Sequence, residues 1–125
     1  MECLATVQRI VDQHRLRPGA LLPILHAIQD ALGFIPPESV PLVARELSLS
    51  RAEVHGVITY YHHFRQTPAP RHVVRVCCAE ACQAFGGEAL AEHARQRLEG
   101  SDLALEPVYC LGLCAIGPSV QINET

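Results

Sequence analysis

In the segment His72-Val73-Val74-Arg75-Val76-Cys77-Cys78-Ala79-Glu80-Ala81-Cys82, His72–Val76 reads as a buried strand running straight into a pair of thiols. Cys77 and Cys82 have four residues between them, and the arrangement recurs downstream. Leu103–Tyr109 reads as a second strand ending at Cys110, with Cys114 after three intervening residues. Between the two strands, Gly86-Gly87 leads into a helical stretch, Glu88–Leu98, which places Leu90, Ala94 and Leu98 on one face before Gly100 stops it. A helical crossover of this length favours parallel pairing of the flanking strands. Parallel strands present their carboxyl ends at one sheet edge, so both thiol pairs are expected in loops that converge there. Ser119–Ile122 reads as a third, short strand, which makes the sheet small and mixed.

Upstream the period changes from two to about 3.6. Leu21, Ile24, Leu25, Ile28 and Leu32 form a helical stripe that ends at Gly33. Val40, Val43 and Leu47 form a shorter one, and a weaker helix is expected over Leu4–His14. Ser50 followed by Glu53 has the form of a capping box, opening a helix that carries Val54, Val57, Ile58 and Tyr61. These stripes predict a small helical bundle over residues 1–67, whose outer face is a candidate docking surface. Gln66–Arg71, with Pro68 and Pro70, reads as a short stiff linker, and residues 71–125 form the strand-containing domain. The expected fold class is α+β.

Of the 125 residues, 49% are hydrophobic and 18% charged, enough for a packed core. The net charge of −3 argues against an electrostatic nucleic-acid binder. No apolar run is long enough for a membrane span. The opening Met1–Arg9 has no basic stretch followed by an apolar one, so no secretory signal is visible and the expected location is cytoplasmic. All ten basic residues are arginine. Without lysine there is neither a Walker-type phosphate loop nor Schiff-base chemistry. The absence of Gly-x-Gly-x-x-Gly and Gly-x-Ser-x-Gly argues against dinucleotide binding and serine hydrolysis by this chain.

Six cysteines without a secretory signal point to ligation or catalysis, not to a disulfide framework. Cys77, Cys82, Cys110 and Cys114 suit either a structural zinc or an iron–sulfur cluster. The loop Cys110-Leu111-Gly112-Leu113-Cys114-Ala115-Ile116-Gly117-Pro118 is almost wholly apolar and carries two glycines. An apolar shell excludes water and glycine lets backbone amides turn towards sulfur, which favours the cluster. Neither loop contains the histidines of a Rieske-type site. His62 and His63 are read as a surface or interface pair, and Cys3 as a thiol outside the site. There is no Cys-x-x-Cys for a thioredoxin-type dithiol, and four clustered thiols fit poorly with a single cysteine nucleophile. Cys78 also has three residues before Cys82, so residue chemistry leaves open whether Cys77 or Cys78 is the ligand.

The thiol spacing, Leu22–Gln29, and Val54-His55-Gly56-Val57-Ile58-Thr59-Tyr60-Tyr61-His62-His63-Phe64 together resemble the thioredoxin-like 2Fe-2S ferredoxin family. The resemblance implies a thioredoxin-like cluster domain and a 2Fe-2S cluster held by Cys77, Cys82, Cys110 and Cys114. It also implies electron transfer beside an FMN- and NAD-binding flavoprotein subunit, with no catalysis by this chain alone. Ala79–Gln83 with Gly86, and Tyr109–Ala115, are most similar to the gamma subunit of NAD-dependent formate dehydrogenase. The equivalent subunits of respiratory NADH dehydrogenase and of NAD-linked hydrogenases are the alternative, ahead of a stand-alone ferredoxin or a structural zinc protein. Two departures stand out. The family usually continues with a further strand, whereas this sequence ends soon after Ile122, and Tyr60 replaces a phenylalanine, adding a hydroxyl that needs a partner.

Overall fold

The computed structural model describes residues 2–123 and 125, which gather into two compact units, Met1–Pro68 and Ala69–Thr125. The first unit contains four helices: α1 (Glu2–His14), α2 (Leu21–Leu32), α3 (Ser39–Glu46) and α4 (Arg51–Tyr60). Each buries apolar residues three or four positions apart. Val7, Ile10 and Val11 do so on α1, and Ile24, Leu25 and Ile28 on α2. Val43 and Ala44 on α3 and Val54 and Ile58 on α4 join them, with Ile35 and Phe64, in one core.

Local chemistry fixes the helix ends. Gly33 takes the left-handed conformation (φ 82°) that a side chain disfavours, and its N–H donates to the Gln29 carbonyl at 2.7 Å. The Ser50 hydroxyl accepts from the Glu53 N–H at 3.0 Å while the Glu53 carboxylate accepts from the Ser50 N–H at 2.7 Å, completing the expected capping box. Gln29 also works as a clamp. Its amide donates to the His63 carbonyl and accepts from the Arg65 N–H, both at 2.7 Å, pinning the chain after α4 to α2. The helix α4 ends at Tyr60, so Tyr61 closes the helix instead of extending its stripe. Tyr60 is 74% exposed, and water can satisfy the added hydroxyl.

The second unit runs β1 (His72–Cys77), α5 (Glu80–Ala84), α6 (Gly87–Leu98), β2 (Leu103–Val108) and β3 (Val120–Ile122). Strand order is β2-β1-β3. The central strand β1 pairs parallel with β2, His72 opposite Leu103 through Cys77 opposite Val108, and antiparallel with β3. The fold is therefore α+β as expected, N-terminal helices followed by a small mixed sheet. No strand beyond β3 occurs among the described residues. Asn123 extends the β3 edge instead, its side-chain oxygen accepting the Val73 N–H at 3.0 Å and its own N–H donating to the Val73 carbonyl at 2.8 Å.

Two local expectations need correction. The strand β1 is not buried along its length, because Arg75 sits mid-strand on a polar face. Its guanidinium reaches the Glu106 carboxylate on β2 at 3.5 Å and the Asn123 carbonyl at 2.9 Å. The thiols are also not all in loops. Cys77 is the last residue of β1, Cys82 lies within the short helix α5, and Cys114 opens a 3-10 turn over Cys114–Ile116.

Candidate metal centre

The parallel register brings the two thiol segments together. Cys77 ends β1 opposite Val108, and Cys110 follows two residues beyond Val108. The chain then reverses immediately after β1, and the Ala79 N–H donates to the Cys77 sulfur. The helix α5 returns Cys82 to the same spot, so that Cys77 and Cys82 are both buried and the Cys82 thiol acts on that of Cys77. Gly87 makes this return possible: a Cβ there would lie 2.6 Å from the Cys82 carbonyl oxygen and 2.9 Å from its carbon. No side chain fits where two backbone segments pass so closely.

The second pair lies nearer solvent. The Cys110 and Cys114 sulfurs are 3.6 Å apart and both residues are exposed. Cys110 holds φ 118°, a strained value for any residue but glycine and costing on the order of 1–3 kcal/mol. In that conformation its N–H donates to the Cys77 sulfur. Gly112, at φ 77°, turns its own N–H onto the Cys110 sulfur at 3.3 Å. The two pairs are neighbours: the Cys110 N–H acts on the Cys77 sulfur, and the charge of Cys82 acts on Cys114.

These contacts set the acidities. The Ala79 N–H, foremost, holds the Cys77 thiol below its ordinary range against the opposing effect of burial, with the Cys82 thiol, the Cys110 N–H and the Ser119 hydroxyl acting the same way. The Cys114 thiol is pushed up, first by its hydrogen bond with Cys110, then by the charge of Cys110, by burial and by Cys82. A cationic centre beside Cys114 would act in the opposite direction, because a metal ion favours the thiolate form that binds it.

Cys78 is not part of the convergence. It lies just past the end of β1, where its N–H donates to the Val108 carbonyl at 2.7 Å. Its sulfur lies 3.6 Å from the Val76 carbonyl and lines a separate cavity of about 610 Å³ with Gln83, Glu88, Glu92 and Arg95. Cys3 is exposed in the other unit. His63 packs against His26 and Phe64, at ring centroids 5.6 and 6.1 Å apart. Among the described residues, no three His, Cys, Asp or Glu side chains are gathered closely enough for one ion. The sulfurs meet in pairs instead.

Ser119 is the residue that sequence reasoning missed. It is 6% exposed, directly precedes β3, and its hydroxyl lies 3.5 Å from the Cys82 sulfur. Its carbonyl accepts the Cys77 N–H at 3.0 Å. The only sequence signal was a small polar residue closing an otherwise apolar loop.

Residues 7–125 match the family model described as thioredoxin-like 2Fe-2S ferredoxin. The chain belongs to that family. Membership implies a 2Fe-2S cluster, and the donor set fits one: two pairs of sulfurs, backbone N–H groups aimed at them, and an apolar loop around the outer pair. A subunit of the NADH-quinone oxidoreductase of Aquifex aeolicus is 32% identical over 132 residues, covering 98% of this chain and 82% of that protein. The Mycobacterium tuberculosis protein of the same name is 29% identical, over 93% of this chain. The HndA subunit of the NADP-reducing hydrogenase of Solidesulfovibrio fructosivorans is 25% identical, over 94% of this chain and 74% of its own length. The chain spans about half the length of the mycobacterial relative, 49%. These names favour the NADH dehydrogenase and hydrogenase alternatives over the formate dehydrogenase reading. No described helix is long and apolar enough to cross a membrane.

Proposed function

We propose that this ferredoxin-family chain is a one-electron carrier, holding a 2Fe-2S cluster through Cys77, Cys82, Cys110 and Cys114. It serves as a subunit of an NAD(P)-linked oxidoreductase of the NADH dehydrogenase or hydrogenase type, working in the cytoplasm. The observation that carries this reading is the approach of two cysteine pairs from the ends of two parallel strands, with the Cys78 sulfur lying on a separate cavity. Pairwise grouping suits two irons with two protein sulfurs each better than one tetrahedral zinc.

When bound, the cluster accepts and returns single electrons. The chain supplies what surrounds it. Cys77 and Cys82 anchor the buried side, Cys110 and Cys114 the exposed side. The Ala79, Cys110 and Gly112 N–H groups offset negative charge on sulfur. Leu111, Leu113 and Ile116 give the outer loop its apolar character, and Leu113 and Ile116 remain exposed at its rim. Hydride chemistry needs a flavin and a nicotinamide, and we assign both to a flavoprotein partner. The names of the relatives support that partnership. Formate dehydrogenase remains a finer reading that rests on Ala79–Gln83, Gly86 and Tyr109–Ala115 alone.

Anaerobic purification followed by metal analysis, absorption and EPR spectroscopy tests the cluster. Two irons per chain and an EPR signal that appears on one-electron reduction are expected. A colourless protein with one zinc sinks the reading. The purified chain alone should not oxidise NADH, and turnover without a partner would refute its role as a carrier.

A further inference from the structure

Ser119 has a feature that ligation by the four cysteines does not account for. Among the described residues, the buried polar side chains are Ser39 and Ser119. Ser39 has an ordinary backbone acceptor, the Pro36 carbonyl. The partner of the Ser119 hydroxyl is instead a cysteine sulfur, Cys82 at 3.5 Å, and the hydroxyl also acts on the neighbouring Cys77 thiol. A buried hydroxyl must place its proton somewhere. Once Cys77 and Cys82 are thiolates they can only accept, so the hydroxyl donates to sulfur.

The backbone holds the hydroxyl there. The Ser119 carbonyl takes the Cys77 N–H at 3.0 Å, and Val120 then enters the ladder opposite Val76. Gly117 lies against the same sulfur: a Cβ on it would be 3.1 Å from the Cys82 Sγ. The glycine leaves room for the loop to bring the serine in. Nothing comparable serves the outer pair, where the described donor to the Cys110 sulfur is the Gly112 N–H.

We propose that Ser119 is a positioning residue that raises the reduction potential of the site by donating its hydroxyl proton to the buried sulfur pair of Cys77 and Cys82. The inference rests on the cluster reading above. Reduction adds one electron, and so one negative charge, that the sulfurs share. A hydrogen bond to sulfur grows stronger as that charge rises, and so it stabilises the reduced state more than the oxidised one. Because the pair is buried, solvent cannot substitute for the lost donor.

An EPR-monitored redox titration of the cluster-loaded chain, with dithionite as reductant, compares wild type with Ser119→Ala, Ser119→Thr and Ser119→Val. Removing the hydroxyl should lower the reduced-to-oxidised ratio at a fixed potential about tenfold, a downward shift of about 59 mV for one electron. Ser119→Thr keeps the hydroxyl and should titrate near wild type. Ser119→Val has nearly the shape of threonine and should titrate lower. If the alanine protein does not fold, the threonine–valine difference still decides the matter. Equal potentials for threonine and valine variants, each with a normal two-iron signal, overturn the role of Ser119 and leave the cluster reading standing. A wild-type chain that takes up no two-iron centre overturns both.

Discussion

Cys77 ends β1 and Cys78 lies just beyond it, and the surroundings of the two sulfurs separate them. Spacing alone makes the two interchangeable; those surroundings do not. Cys77 receives the Ala79 and Cys110 N–H groups, while Cys78 lies against the Val76 carbonyl. Cys77→Ser should therefore lose the iron and the visible absorption, and Cys78→Ser should keep both. The reverse result in iron analysis would move the ligand to Cys78. Gly87 makes a second prediction at this scale. A Cβ at this position meets Cys82 backbone at 2.6 and 2.9 Å, which cannot swing aside as a side-chain tip could. Gly87→Ala should cost about 1–3 kcal/mol and lower cluster occupancy. Unchanged denaturant midpoint and full iron content would show that the backbone yields. The sequence displays Gly86-Gly87 but offers no way to tell which glycine is required for space: Gly86 takes φ 95° in open surroundings, and Gly87 is the one against Cys82. Ser119 is illegible for a similar reason, since its role comes from contacts with residues 37 and more positions away.

The legible elements have either a period or a stop signal. The stripe Ile24, Leu25, Ile28 with Gly33 behind it defines α2, and the parallel pairing of β1 with β2 follows from the crossover length. The helix α5 is hidden in the sequence because five residues are too few to show a period, and Ala79–Ala84 offers no cap. The strand β1 reads as buried throughout because its valines outvote one arginine; the ion pair of Arg75 with Glu106 comes from register, which a single strand does not reveal. The helix α4 is readable from its capping box, and this gives a prediction at the element scale. Ser50→Ala should cost about 1 kcal/mol, seen as a lower melting temperature. The box also titrates. The Ser50 N–H, and then its hydroxyl, hold the Glu53 carboxyl below its usual 4.5. With the folded value below the unfolded one, the contribution is complete above about 4.5 and is lost as pH falls through the folded value. Glu53 is exposed, so the effect is small. Thermal melts of wild type and Glu53→Gln should differ at neutral pH and converge in acid. A constant gap across that range would place the stabilisation elsewhere.

The two units of the molecule are held by different means. The helical unit has its own apolar core, running from Val7 through Ile24, Leu25 and Ile28 to Val54 and Phe64. In the second unit the described apolar side chains that are buried are Val73, Val76, Cys77 and Cys82, two of them proposed ligands. A core that small contributes little through hydrophobic burial, and the unit also carries the strained Cys110 conformation. With the proposed ligation, metal–thiolate bonds would supply much of what keeps its loops in place, because binding free energy that exists only in the folded state adds to stability. Cluster removal by anaerobic chelation should therefore act unevenly along the chain. Hydrogen–deuterium exchange should speed up in residues 77–87 and 109–119, and next in the short strand β3. Amides of α2 should exchange as they do in the loaded protein, since their packing partners Val7, Ile35 and Phe64 lie in the same unit. Arg75, tying β1 to Glu106 and Asn123, should leave mid-strand amides slower to respond than the thiol-bearing ends. Equal loss of protection in both units would mean that their stabilities are coupled as one. No change in either would mean that the thiol segments are rigid without metal, and that the protein folds the site first and loads it afterwards.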